Sequence, residues 1–171
     1  MNEINDIKII KSVTDLRVQT PFSYEFLRRI KLCGAQYDAK DSSWILPVEA
    51  EKHVRELLTE VFGKDDRPAQ LVTAHITVKR IYEVVRQGVE WWGRIIAQAE
   101  TNRGPVRVGK KVIFVRGEPV AGGSRARWKT IIDDGCVIDV FDVPARAVFG
   151  RRYAGIEVEA YDKGGKLIEL H

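Results

Sequence analysis

The segment from Phe22 to Pro47 constrains the fold of this chain most, because its residue pattern is typical of a helix followed by a hairpin. Ser23 can accept a hydrogen bond from a free N–H group of the following turn, as N-cap residues do. Gly34 can adopt the left-handed conformation that ends a helix. Between these two residues, four apolar side chains recur at helical spacing: Phe26, Leu27, Ile30 and Cys33. The pattern therefore predicts one helix between Ser23 and Gly34.

Strands and a second helix are expected on either side of this helix. Residues 36–38 and 44–46 are predicted to be two short strands joined by a polar turn, and residues 16–19 alternate as a half-buried strand does. A stripe of apolar residues predicts the second helix, which ends at Gly63: Ala50, Val54, Leu57, Leu58 and Val61. Together these elements form a β-α-β-β-α module over residues 16–63.

The polar segment of residues 64–68 ends in proline and is the predicted boundary between two domains, residues 1–66 and residues 67–171. Beyond it, β-branched residues alternate with glycine-containing turns. This texture predicts five strands, at residues 71–78, 106–108, 111–115, 137–143 and 156–161. The predicted fold class is α+β: a small N-terminal β-α-β-β-α module followed by a mostly-β domain, either a small barrel or a rolled sheet.

Residues 81–99 fit two patterns. They can form one helix, or strands that follow a turn at Gln87 and Gly88, and we expect a mixture of the two. Trp91 and Trp92 are adjacent, so their rings diverge in a helix and in a strand alike. We expect one ring in the core and the other exposed or in an interface.

The composition is typical of a soluble globular protein, since the 171 residues are 44% apolar and 30% charged. No apolar run approaches the ~20 residues that span a bilayer. The first residues lack the basic start and apolar stretch of a signal peptide. Cys33 and Cys136 show no metal-binding spacing and are expected to be reduced, buried thiols, with a disulfide between them as the alternative. We therefore expect a cytoplasmic protein that has no cofactor, no metal and no membrane partner, and we leave its oligomeric state open.

Positive charge is concentrated in the second domain. Residues 1–66 contain 10 Lys and Arg against 12 Asp and Glu, whereas residues 67–171 contain 18 against 12. A polyanion is therefore expected to bind to the second domain, or to both domains together.

The helix and hairpin also carry a longer pattern. The helix contains Phe and Tyr, and it is followed by Tyr37-Asp38, a turn with Lys40, then Trp44 and a closing acidic helix. Over residues 16–63 this pattern resembles the HARP domain of the SNF2-type annealing helicases and related short modules of bacterial plasmid and phage proteins. Gln36 stands where the usual pattern of that family has arginine.

The resemblance implies a module that binds branched DNA or junctions between single-stranded and double-stranded DNA. In that family the ATPase motor lies elsewhere in the polypeptide. This sequence contains no Gly-x-x-x-x-Gly-Lys-Ser/Thr loop, so it is not expected to hold the motor.

Two aromatic residues of the hairpin, Tyr37 and Trp44, are expected to face each other and are candidates for stacking on exposed bases. The alternative is that both rings cap the core beneath the helices, which we favour for Trp44.

A basic rim near the hairpin can contact phosphates or can be a solvated helix face: Arg28, Arg29, Lys31 and Lys40.

The second domain contains a more specific candidate segment, residues 122–129. Two glycines there are followed by cations around a tryptophan, which suits a phosphate backbone with a stacked base: Arg125, Arg127, Trp128 and Lys129. The alternative is a hairpin loop whose tryptophan folds back onto the domain. Four further cations can extend this patch: Lys110, Lys111, Arg151 and Arg152.

Carboxylates of the second domain offer a different hypothesis, a Mg²⁺-dependent nuclease. Asp133, Asp134, Asp139 and Asp142 lie close in sequence, and Glu157 and Glu159 share a face if residues 156–161 form a strand. However, Asp133-Asp134-Gly135 is also an ordinary turn sequence. The three histidines are scattered, and no nucleophile–base pairing can be argued from their positions.

The sequence thus predicts a non-catalytic protein that binds nucleic acid, with DNA of single-stranded or junction character as the expected partner. A second hypothesis is a mobile-element protein that binds another protein, such as an inhibitor of a host nucleic-acid-handling complex in defence. The metal-dependent nuclease is the third hypothesis.

Overall fold

The computed structural model describes residues 7–169. The signal-peptide prediction rests mainly on residues 1–6, which lie outside the described residues. No helix of the described part of the chain is long and apolar enough to cross a membrane.

The first module follows the predicted order, with one additional strand at its start. Its elements are β1 (Lys8–Lys11), β2 (Asp15–Gln19), α1 (Tyr24–Leu32), β3 (Gln36–Asp38), β4 (Ser43–Pro47) and α2 (Glu51–Phe62). The four strands form an antiparallel sheet in the order β1-β2-β4-β3. Both helices pack on this sheet, and the core between them includes Leu16, Phe26, Ile30 and Leu58.

The predicted ends of both helices are confirmed. The Ser23 hydroxyl accepts a hydrogen bond from the Phe26 N–H at 3.1 Å, which caps α1. Gly34 and Gly63 follow α1 and α2, and both have a φ of 78°. This left-handed conformation lets the chain turn away from the helix at no steric cost.

The second module contains most of the strands. Its elements are β5 (Leu71–Val78), β6 (Tyr82–Val85), β7 (Val89–Trp91), β8 (Arg94–Ala99), β9 (Val106–Val108), β10 (Val112–Arg116), β11 (Val120–Gly123), β12 (Trp128–Ile132), β13 (Val137–Pro144), α3 (Ala145–Gly150), β14 (Ile156–Tyr161) and β15 (Leu167–Ile168). They form three antiparallel sheets: β10-β13-β5-β14-β15, β11-β12-β6 and β7-β8-β9. The five predicted strands are present as β5, β9, β10, β13 and β14.

The α+β class with a mostly-β second half is confirmed, but the predicted barrel is wrong. A barrel has no edge strands, whereas β10 and β15 are the edges of the five-stranded sheet. The remaining strands of the second module are divided between two three-stranded sheets. None of the sheets described for this module is closed on itself.

The helix expected within residues 81–99 is also absent, because the segment forms β6, β7 and β8. Two of its non-glycine residues, Arg86 and Trp92, have positive φ values of 57° and 52°, which a right-handed helix cannot contain.

Trp91 and Trp92 are both buried. The expectation that one of the two rings would be exposed to solvent is therefore wrong. Cys33 and Cys136 are free thiols, half-buried and buried respectively.

Each module has its own hydrophobic core, and charged groups order the chain at their predicted boundary. Asp65 is only 4% exposed and accepts hydrogen bonds from the Arg67 guanidinium and from its N–H, and one from Arg55 at 3.2 Å. These interactions, chiefly with Arg67, hold the pKa of the Asp65 carboxyl well below its ordinary value. The boundary segment is therefore fixed rather than a free linker.

Replacing Asp65 by asparagine is expected to lower the free energy of unfolding at pH 7 by about 1–3 kcal/mol, because charge-assisted hydrogen bonds to a buried group are lost. The folded-state pKa lies below the ordinary value of 3.8, so the contribution is present above that pH and is lost as the pH falls below it. Urea unfolding at pH 7 and at pH 3 measures both effects.

The control for this prediction is Asp134→Asn, which changes an exposed turn residue. Its unfolding midpoint should follow that of the wild type at both pH values. An Asp65→Asn variant whose deficit does not shrink at low pH would contradict the assigned role of the carboxylate.

Candidate nucleic-acid interface

An open groove of about 1230 Å³ lies between the two modules. Among the described residues that line it are seven cations and two carboxylates. The first module contributes Lys8, Lys40 and Lys64, and the second contributes Arg86, Arg94, Arg107 and Lys110. The carboxylates are Asp41 and Glu100. A groove lined mostly by one sign of charge concentrates ligands of the opposite sign, so this groove favours anions.

All three arginines of this groove lining also contact other groups of the protein. Arg94 is buried and donates to the carbonyls of Phe141 and Asp142, and burial lowers its pKa to about 10. Arg86 donates through Nε to the Ala126 carbonyl at 2.8 Å, which holds the loop between β11 and β12. Arg107 pairs with Glu100 at 2.6 Å, and both side chains are largely exposed. Because exposed pairs contribute little stability, Arg107 can exchange this partner for a phosphate at small cost.

Aromatic side chains from both modules accompany these cations. Phe22 and Tyr24 line the groove from the first module, and Trp128 lines it from the second. Phe22 is 57% exposed, whereas Tyr24 and Trp128 are half-buried. Cations beside exposed aromatic rings are the combination that single-stranded nucleic acid requires.

Contacts of Glu90 join the two modules at one side of this groove. The Glu90 carboxylate, which belongs to β7, accepts hydrogen bonds from the Tyr24 N–H at 2.6 Å and from the Ser23 hydroxyl at 3.0 Å. It therefore satisfies free donors at the N-terminus of α1, where a negative charge is also favoured by the helix dipole. Burial raises the pKa of Glu90, and these hydrogen bonds oppose the increase.

Further contacts fix the same arrangement. The Tyr24 hydroxyl is 2.6 Å from Gln98 Oε1, and Arg151 forms an ion pair with Glu25 at 2.7 Å. Gly93 packs directly against the ring of Phe62, where any side chain would overlap the ring. The groove walls are thus held by polar contacts at the start of α1 and by close packing near the end of α2.

Three residues predicted from the sequence lie in the groove: Lys40, Lys110 and Trp128. Arg125, Arg127 and Lys129 belong to the same β11–β12 hairpin as Trp128, with Arg125 and Arg127 exposed and Lys129 paired with Glu83. The segment of residues 122–129 therefore contains the turn of a hairpin, and its Trp128 lines the groove.

The predicted residues of the first module have other positions. Trp44 is 8% exposed and lies in the core, so it is removed from the candidate interface. Its cross-strand neighbour is Tyr37, as expected, with ring centroids 5.0 Å apart and Tyr37 54% exposed, but Tyr37 is not among the groove residues. The α1 cations Arg28, Arg29 and Lys31 also lie outside that lining, and Arg29 pairs with Glu25 and Glu60.

The remaining predicted cations are also apart from the groove lining. Lys111 pairs with Asp142, and Arg151 is engaged by Glu25 between the modules. Arg152 is exposed beside Arg151. These residues are adjacent in sequence to groove or interface residues, but they do not line the groove themselves.

Several groove residues were not selected from the sequence, including Lys8, Phe22, Tyr24, Lys64, Arg86 and Arg94. Phe22 directly precedes the N-cap Ser23, where an apolar residue commonly packs on the first turns, and Tyr24 is the first residue of α1. This sequence pattern does not indicate that either side chain would line a groove. Only the docking of the second module places them in a basic groove.

The carboxylates considered for a metal site are spread over the second module. Asp139 contacts His75 Nδ1 at 2.6 Å, Asp142 pairs with Lys111, and Glu159 accepts from the Tyr161 hydroxyl at 2.6 Å. Within residues 7–169, no group of three or more His, Cys, Asp or Glu side chains is arranged to hold a metal ion.

Comparison of this chain with protein-family models, curated proteins and solved structures found no match in any of the three. The resemblance of residues 16–63 to the HARP domain stays a prediction.

Replacing Glu90 by alanine is expected to lower the free energy of unfolding by about 1–3 kcal/mol, because the Tyr24 N–H and the Ser23 hydroxyl lose their acceptor. Urea unfolding followed by tryptophan fluorescence measures the change. Glu83→Ala is the matched control, since Glu83 is an exposed strand residue with one surface ion pair to Lys129 and should cost less than about 1 kcal/mol. Equal losses in the two variants would contradict the capping role of Glu90.

Proposed function

We propose that this protein is a non-catalytic nucleic-acid-binding protein, and that the groove between its modules binds DNA of single-stranded or junction character. The observation that carries the proposal is the excess of seven cations over two carboxylates among the described groove residues. Phosphates of a nucleic-acid backbone bind such a surface and release condensed counterions.

The positions of the cations suit a flexible polyanion. Lys40 lies in the turn between β3 and β4, and Lys110 lies just before β10, so these two exposed lysines belong to different modules. Arg107 lies on β9, near Lys110 in sequence. A strand that contacts all three crosses from one module to the other. The resemblance of residues 16–63 to the HARP domain supports DNA as this ligand.

Fluorescence anisotropy of labelled single-stranded, duplex and forked DNA at two salt concentrations tests the proposal. We expect binding that is micromolar or tighter at low salt, favours the single strand or fork, and weakens steeply as salt increases. Absence of binding to all three DNAs at low salt would overturn the proposed function.

Reversing two groove charges in Lys40→Glu/Lys110→Glu is expected to weaken single-strand binding at least ~10-fold at low salt, because two phosphate contacts become repulsive. The slope of log affinity against log salt should become shallower by roughly 1.4, at about 0.7 per lost contact with a single strand. The same anisotropy titrations provide both numbers.

The matched control reverses two exposed cations outside the groove, Arg28→Glu/Lys31→Glu. It changes net charge by the same amount and should have a much smaller effect. Equal weakening by both pairs would place the binding surface elsewhere or show that only net charge matters.

A second candidate function, binding to another protein, is favoured by the edge strand β10. Its side chains Ile113 and Val115 are more than half exposed, with Lys110 and Lys111 before them and Arg116 after them. An apolar partner strand flanked by acidic residues can pair with such an edge. In this case Ile113→Lys should abolish capture of the partner, while Lys40→Glu, in the β3–β4 turn of the other module, should retain it.

A further inference from the structure

Phe22 is an exposed aromatic residue that belongs to neither hydrophobic core. Its side chain is 57% exposed and lines the groove between the modules. The cores of both modules are formed without it. Leaving a large apolar ring in water forgoes the free energy that its burial would contribute, so a ligand in the groove that covered this ring would gain that free energy.

The Phe22 ring is also held in place by its neighbours. It packs edge-to-face on Tyr24, with ring centroids 4.8 Å apart and planes at 83°. The Tyr24 hydroxyl is hydrogen-bonded to Gln98, and the Tyr24 N–H donates to Glu90, so the second module fixes this residue at two points. On the other side, Pro21 restricts the backbone. A ring that is ordered before binding loses little conformational entropy when a ligand packs against it.

The surroundings of the ring define the chemistry of that ligand. Seven cations line the same groove, and Trp128 presents a second aromatic side chain from the opposite module. An aliphatic ligand has no charge that would bind the cations, and a simple anion has no apolar face that would pack on the rings. A nucleic-acid strand has both, because its phosphates bind cations and its base faces stack on aromatic rings.

Base pairing decides which form of nucleic acid can use the ring. In a duplex the base faces are covered by their neighbours in the stack, and only base edges and phosphates are accessible. An aromatic side chain on a groove wall reaches a base face only where a strand is unpaired.

We propose that Phe22 is the base-stacking residue of the first module and that the groove takes an unpaired strand whose bases contact Phe22 while its phosphates contact the cations. This inference rests on the proposed nucleic-acid binding and adds the residue that selects unpaired bases. It also replaces Tyr37, the stacking candidate of the sequence, which lies outside the groove lining.

The test compares Phe22→Leu with the wild type on three fluorescent ligands of equal length: an oligothymidine strand, an abasic strand with the same phosphates, and a duplex. Stacking on one base predicts a loss of about 5- to 150-fold on oligothymidine, and no loss on the abasic strand. Phe22→Trp should retain the affinity of the wild type for oligothymidine.

Tyr37→Leu is the control, since Tyr37 is as exposed as Phe22 but belongs to the hairpin outside the groove. It should leave all three affinities unchanged. An oligouridine strand added to the series shows whether the unpaired ligand is DNA or RNA, because both offer the same base faces and phosphates.

The outcomes separate this inference from the proposed function. Wild-type protein that binds none of the ligands at low salt would overturn both. Wild-type binding with no effect of Phe22→Leu, with equal losses on oligothymidine and the abasic strand, or with a duplex bound as tightly as the single strand, would overturn the stacking role and leave nucleic-acid binding in place.

Discussion

The carboxylate of Glu90 at the N-terminus of α1 is the interaction on which the shape of this protein depends. It comes from a strand of the second module and accepts hydrogen bonds from the Tyr24 N–H of a helix in the first and from the Ser23 hydroxyl that caps this helix. Leaving these donors unsatisfied in a half-buried site would cost free energy. These contacts therefore join the modules at the start of α1, at one side of the groove.

The net charge of the first module does not indicate which of its charged side chains line the groove. That module is acidic overall, yet several of its carboxylates are engaged by its own arginines: Arg17 pairs with Asp38 and Asp41, and Arg55 with Asp65 and Asp66. The Lys40 N–H, and after it Arg17, holds the pKa of Asp38 below its ordinary value, and Arg67, more than Arg55, does the same for Asp65. Three lysines of this module, Lys8, Lys40 and Lys64, line the groove instead. A binding surface is set by local arrangement rather than by the sum of charges.

Local patterns in the sequence were sufficient for most of the fold. The cap at Ser23, the stripe of α2 and the alternation of β5 each depend on neighbours within a few residues, and all are present. The barrel prediction failed because closure depends on how distant strands pair, which no local pattern encodes. The ambiguity of residues 81–99 was decided by Arg86 and Trp92, whose positive φ values are unusual for residues with side chains.

The candidate site was predictable only in part for the same reason. Lys40, Lys110 and Trp128 were selected because cations and aromatics near turns are common in binding loops, and they lie in the groove. Trp44 has the same composition signal but is buried, since its strand position points it into the core. The sequence did not point to Phe22, because its place in the groove depends on Glu90 and Gln98, which lie far from it in sequence and contact its neighbours Ser23 and Tyr24.

A ligand that spans this groove would also act on the docking itself. The two cores are separate, and interfaces between domains of this kind are comparatively polar and permit relative motion. A strand in contact with Lys40 on one wall and Lys110 on the other gains its full set of contacts only when the modules are docked. Binding across the groove and docking would therefore stabilise each other by linkage, so the Glu90 contacts that favour docking would also favour binding.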